Sequence, residues 1–198
     1  CGLMNPEKYD PLNGLDLIKY DENKCRNNIT NSLRSHLDIT GFDFSEVHNI
    51  IGKLPWKTVI TTNYDNLLDL LWTDKNACSS EEEFQNFSNN PFYVKLHGSL
   101  SNPHTLTQSD FRNWEIHHPR AVEFLRTKLG SGIKFLFVGY SFSDPHLNNL
   151  IAIINRLYAH DRILFAWMYQ LNDNMKRLFR ERDRITAFSI DEDNGYLY

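Results

Sequence analysis

Three apolar, strand-like runs in this sequence end in residues able to do chemistry. "KTVI" leads into Thr61-Thr62-Asn63-Tyr64-Asp65, "FYVKL" into His97-Gly98-Ser99, and "IKFLFV" into Gly139-Tyr140-Ser141-Phe142-Ser143-Asp144. In open parallel sheets, ligands bind beyond the carboxyl ends of the strands. A histidine there can act as a base near neutral pH. Asn63 and Asp65 can orient a polar ligand. A Gly139/Ser141 loop ahead of a helix N-terminus suits an anionic one. Each feature taken alone has a plainer account. Asn63 and Asp65 are also ordinary turn and N-cap residues, His97 could be a packed histidine, and Gly139 could simply turn the chain. Together they make a coherent site.

Other chemistries have less support. His117 and His118 are adjacent, so their side chains diverge, and His104, His146 and His160 lack a ligand-type spacing such as HExxH. No metal site is expected. No GxSxG motif is present, which argues against a serine hydrolase of that type.

A repeating strand–helix rhythm would position the three polar ends. Helices are expected over Glu22 to Leu37 and over "DFSEVHNIIGKLP", the second capped by Asp43 or Ser45 and stopped by Pro55. "KTVITT" reads as a strand and "YDNLLDLLW" as a helix anchored through Leu67, Leu68 and Leu71. "FYVKLH" is a strand and "PRAVEFLRTKLG" a helix, with Pro119 in its first turn and Gly130 at its end. "IKFLFVGY" is a strand, followed by the helix "DPHLNNLIAIINRLY" with Asp144 as its cap. "RILFAWMY" and "ITAFSI" are further strands, with the helix "NDNMKRLFRERD" between them. Continuous apolar strands separated by helices indicate a parallel sheet covered on both faces. The expected fold is therefore α/β, a doubly wound, mostly parallel Rossmann-like sheet. The stretch from Thr73 to Asn90 reads as a surface excursion, part helix and part loop. Residues 99–118 are irregular and placed to cover a site.

Bulk properties narrow the function. At 198 residues the chain fits a single domain, residues 1–198. Hydrophobic residues make up 41% and charged residues 23%, ordinary values for a globular domain. A net charge of -4 leaves no basic footprint for nucleic acid or an anionic membrane. The "KRLFRERDR" segment alternates sign and reads as a solvated helix face. The three cysteines, Cys1, Cys25 and Cys78, are far apart and form no CxxC pair, which points to a reducing cytoplasm. No apolar run approaches the roughly 20 residues that span a bilayer.

In this order, "KLPWKTVITTNYDNLLD", "VKLHGSL" and "LFVGYSFSDPHLNNLI" closely resemble the sirtuin-like domains of bacterial and phage-related defence proteins. The short "TLTQSDF" between the last two also fits. The resemblance implies a Rossmann-like fold that binds NAD and cleaves it to nicotinamide and ADP-ribose, as an effector of antiphage defence. It implies that Asn63 is the catalytic amide and His97 the general base. Thr61 and Thr62 would lead the chain into the site, and Asp65 would lie near the nicotinamide carboxamide. Gly98 would also bind NAD, while Gly139, Ser141 and Asp144 would serve its phosphate and adenosine-ribose side. It further implies a homo-oligomer or an assembly with a sensor or effector protein.

This sequence departs from the sirtuin pattern in two ways. Protein-deacylating sirtuins hold a zinc module with cysteine pairs between the histidine and glycine–serine motifs, whereas Gly98 to Val138 contains no cysteine here. That favours NAD hydrolysis over deacylation. The family also opens on a strand and a GAGxS-type phosphate loop, which no residue before Lys57 matches. The chain is thus expected to be a fragment, with that loop upstream of Cys1. The competing expectation is a module that binds NAD or ADP-ribose without turnover, and a protein deacylase is a third.

Overall fold

The computed structural model describes residues 22–37, 41, 43–85, 91–131, 133–140, 142, 145–157, 164–169 and 171–190. The chain forms two compact units, Cys1–Ala121 and Val122–Tyr198. Each contains a three-stranded sheet, and every pairing between the named strands is parallel. With helices between the strands, this is the mixed α/β arrangement of a Rossmann-like protein.

Among the described residues, the first unit begins with α1 (Glu22–Leu37) and α2 (Glu46–Lys53). Ser45 caps α2 reciprocally: its hydroxyl accepts from the His48 amide, and the His48 imidazole accepts from the Ser45 amide. β1 (Val59–Thr61) is followed by α3 (Leu67–Leu71), and β2 (Ala77–Cys78) by α4 (Glu81–Gln85). β3 (Tyr93–Lys95) is the central strand, in the order β1-β3-β2. Two short helices, α5 (Gln108–Arg112) and α6 (Trp114–His117), precede α7 (Pro119–Gly130), most of whose residues belong to the second unit. Trp72, Tyr93, Val94, Leu96 and Trp114 are among the buried apolar residues. Trp72 stands edge-on to Phe92 at 5.3 Å and donates its indole N–H to the Gly52 carbonyl at 3.3 Å.

Three details differ from expectation. The 73–90 stretch is not all surface, because β2 joins the sheet and Cys78 and Phe84 are buried. Burial, followed by the charges of Glu83 and Glu81, pushes the Cys78 thiol up to about 12, so it is an inert packing residue. Helix α3 starts three residues later than "YDNLLDLLW" suggests. Its leucines 67, 68 and 71 are half-buried rather than core. In residues 99–118, α5 and α6 replace an irregular cover.

In the second unit, β4 (Phe135–Val138) leads to α8 (Pro145–Leu157) and β5 (Leu164–Tyr169). Next come α9 (Asp173–Leu178), a π-helical turn over Phe179–Asp183, and β6 (Ile185–Ile190). The strand order is β4-β5-β6. Leu164, Ala166 and Ile185 are buried on facing positions of this ladder. The expected single helix over "NDNMKRLFRERD" changes its winding at Phe179. That ring is buried while its neighbours stay solvated, and left-handed Arg184 then releases the chain into β6.

Candidate functional site

Parallel pairing sets the geometry of the first two strand ends. Thr61 of β1 is in register with Lys95 of β3, and the last bond between them runs from the Leu96 amide to the Thr61 carbonyl at 2.9 Å. Asn63 and His97 each lie two residues beyond that pair. The two strands therefore deliver them past the same edge of the sheet.

The turn after β1 is built from its own side chains. The Thr61 hydroxyl accepts from the Asn63 amide at 3.1 Å, and an Asp65 carboxylate oxygen accepts from the Leu67 amide at 3.1 Å. Asp65 thus provides the expected local bond at the start of α3, as an Asx turn. Asn63 is exposed, and Thr62 is half-buried. The Tyr64 hydroxyl donates to the Thr105 carbonyl.

Buried Lys95 ties this turn to β3. Its ammonium donates to the Asp65 carbonyl at 2.7 Å, to the Tyr64 carbonyl at 3.5 Å and to the Asp69 carboxylate. Sequence reasoning overlooked this residue. The available signal was a lysine within a continuous apolar strand expected to be covered on both faces.

His97 is 5% exposed and lies among three rings. Phe111 and Trp114 stand edge-on at 5.2 and 6.2 Å, and Tyr64 lies tilted at 6.5 Å. Trp114 is fixed in turn by an indole bond to the Leu96 carbonyl at 3.3 Å. Gly98 has φ +93, and a Cβ there would come 2.3 Å from the Asn102 carbonyl oxygen. The close approach closes a tight hairpin, in which Gly98 pairs with Pro103 and the His104 amide donates to the His97 carbonyl at 3.1 Å.

A pair of histidines lies nearby in the chain. His104 stacks on His118 at 4.2 Å. The Ser79 carbonyl, 3.1 Å away, can only accept, so Nε2 of His104 carries the proton and Nδ1 accepts from the Thr105 hydroxyl at 3.1 Å. Burial, then the His118 imidazole, pushes His104 down to about 4. Burial also lowers His118, against the pull of Glu81. Glu81 receives the Arg120 and Ala121 amides, both at 3.2 Å, and so caps α7 from a distant segment. Asp110 is held below the usual carboxylate range: burial opposes this, but Arg26 and the Leu106 and Thr107 amides outweigh it. Among the described residues, no three histidine, cysteine or carboxylate side chains converge as a metal site.

A polar cavity of about 420 Å³ lies between α1 and residues 101–106, with Arg26, Asn27, Asn31, Arg34, Ser101 and Asn102 in its wall. Neither Asn63 nor His97 lines it.

In the second unit, Gly139 follows β4 with φ +60, and its amide donates to the Trp167 carbonyl at 3.1 Å. It is exposed, and a Cβ there would meet none of the described residues within 4 Å. Three residues on, Phe142 also has a left-handed φ of 55, uncommon for a bulky side chain. Its ring packs on Phe137, Tyr140 and Phe179, and its carbonyl accepts from the Asn148 side chain. Ser141 and Asp144 lie outside the described residues. The structure thus gathers Thr61, Thr62, Asn63, Asp65, His97 and Gly98 at one sheet edge and sets Gly139 at the end of another sheet's strand.

A parallel α/β protein with polar residues at its strand ends defines the broad class. Residues 57–188 match the SIR2-like domain family, and the chain belongs to it. It is 27% identical over 160 residues to "NAD(+) hydrolase ThsA" of Bacillus cereus (strain MSX-D12), covering 74% of this chain and 33% of that protein. It is 28% identical over 202 residues to "NAD(+) hydrolase ThsA" of Acinetobacter baumannii (strain 532279), covering 98% of this chain and 39% of that protein. "Defense-associated sirtuin 2" of Bacillus subtilis is 26% identical over 120 residues, 56% of this chain and 12% of that protein. The chain therefore spans well under half the length of each of these relatives. Among the described residues, no helix is long and apolar enough to cross a membrane.

Proposed function

We propose that this chain is the catalytic domain of an NAD hydrolase that cleaves NAD to nicotinamide and ADP-ribose in antiphage defence. The observation that carries this reading is the Thr61–Lys95 register, which delivers Asn63 and His97 past one sheet edge. The names of the ThsA relatives support the choice of NAD as substrate. In the proposed reaction, the bond between the nicotinamide nitrogen and ribose C1′ breaks. The electron pair leaves with nicotinamide, and C1′ takes on oxocarbenium character. Water adds to C1′, and its proton passes to His97 as general base. Asn63 orients the ribose or the water, and Asp65 reads the carboxamide. Thr61 and Thr62 shape the approach. Gly98 holds the hairpin beside His97, while Gly139, Ser141 and Asp144 serve the phosphate and adenosine-ribose side. The domain works within a homo-oligomer or with a sensor protein, in the cytoplasm.

The test is product analysis with the full-length protein in ¹⁸O-water. The reading expects nicotinamide and ADP-ribose in equal amounts, with one solvent oxygen in the ADP-ribose. Acyl-lysine cleavage in place of NAD hydrolysis would overturn it.

A second reading, an NAD- or ADP-ribose-binding module without turnover, is favoured by the enclosure of His97 among three rings. Calorimetric binding of NAD with no product from the activated full-length protein would select it.

A further inference from the structure

We propose that Lys95 is a positioning residue for this NAD cleavage, holding the Asn63 turn in register with His97; the inference rests on the reading above. Tyr93 and Lys95 lie two residues apart on β3 and so share one side of the central strand, the ammonium 5.9 Å from the Tyr93 ring centroid, and His97 follows in the turn that the Gly98 amide closes on the Lys95 carbonyl at 3.3 Å. Lys95 is 1% exposed. Burying an ammonium costs several kcal/mol before its partners compensate, and an apolar residue of similar volume often serves stability equally well. Packing alone therefore does not account for a lysine at this position.

Its partners do. An ammonium has three N–H donors, and three acceptors surround this one: the carbonyls of Tyr64 and Asp65 and the carboxylate of Asp69. The two carbonyls lie beyond the last ladder bond, at Thr61, and belong to the residues directly after Asn63. β3 thus reaches past its own ladder and grips the turn through a side chain. The same turn meets His97 through the Tyr64 ring, whose hydroxyl is held by Thr105. The backbone of Asn63 and the ring wall of His97 thereby share one support. Asp69 supplies the countercharge while remaining 35% exposed, so the pair is only partly desolvated.

The test uses the full-length protein carrying Lys95→Arg, Lys95→Met or Asp69→Asn. Arginine keeps the charge and the ion pair with Asp69, but its planar fork cannot offer three tetrahedral donors. For Lys95→Arg we expect a melting temperature close to wild type, kcat lower by about tenfold and KM for NAD within about threefold. Lys95→Met should lose more, up to about a hundredfold in kcat. Asp69→Asn, which leaves both carbonyl contacts, should lose least. In ¹³C-histidine spectra, the His97 ring protons should shift in both Lys95 variants as the Tyr64 ring moves. Wild-type kcat in a folded Lys95→Arg protein, together with an unchanged His97 spectrum, would overturn the proposal. So would a loss of kcat that merely tracks the unfolded fraction. Should the wild type show no NAD turnover, the functional reading fails, and the His97 spectrum alone decides whether Lys95 holds the turn.

Discussion

Gly98 and Gly139 both follow a strand, both adopt a left-handed φ, and both were candidates for contact with NAD. Their surroundings differ. Gly98 is buried where a Cβ would lie 2.3 Å from a backbone oxygen, whereas Gly139 is exposed and a Cβ there would meet none of the described residues within 4 Å. Glycine at 98 is thus explained by the hairpin that closes behind His97. At 139, among the described residues, only the backbone angle calls for glycine. A left-handed glycine at a strand end can therefore be required by close neighbours or by its backbone angle alone, and only the neighbouring atoms distinguish the two.

The largest effect that could break this comparison is expected for Gly98→Ala. Left-handed strain and the clash with Asn102 together should cost about 3 kcal/mol in urea unfolding. Gly139→Ala carries only the strain, about 1 to 2 kcal/mol, and should weaken NAD binding measured by calorimetry more than it weakens the fold. Equal destabilisation by the two substitutions would remove the distinction. Tyr64→Phe tests the support around Gly98 from the other side. Losing the bond to the Thr105 carbonyl should cost about 1 kcal/mol in the same unfolding assay, with the ring still against His97.

The smallest effect concerns pH and the histidine that follows the hairpin. His104 sits at about 4 in the folded chain against an ordinary 6.5, so the unfolded chain takes up the proton first. Its contribution to stability is complete above pH 6.5 and declines as pH falls towards about 4. Burial-lowered His118 acts in the same direction. His104→Gln should flatten the fall in melting temperature between pH 6.5 and 4.5. An unchanged slope would mean that His104 is not buried in its neutral form.

Much of the fold was legible in the sequence where the signals were local. Pro119 and Gly130 bound α7 as read, Ser45 caps α2, and "ITAFSI" is β6 residue for residue. The strand ends carrying Asn63 and His97 were legible for the same reason. Features that depend on distant partners were not. Two-residue β2 has no periodicity and exists because β3 lies beside it. Asp65 delays α3 by taking the Leu67 amide. The switch to π winding at Phe179 coincides with the burial of one ring. The Lys95 grip and the His104–His118 stack join segments far apart in the chain, with only a misplaced polar residue in an apolar strand as a hint of the first.

The central claim is that the two residues delivered by the Thr61–Lys95 register cleave NAD. The direct measurement is the rate of nicotinamide release from NAD by the activated full-length protein, compared with Asn63→Ala and His97→Ala. The account predicts a loss of about a hundredfold or more in each variant, with both proteins folded. Unchanged turnover in both would contradict it.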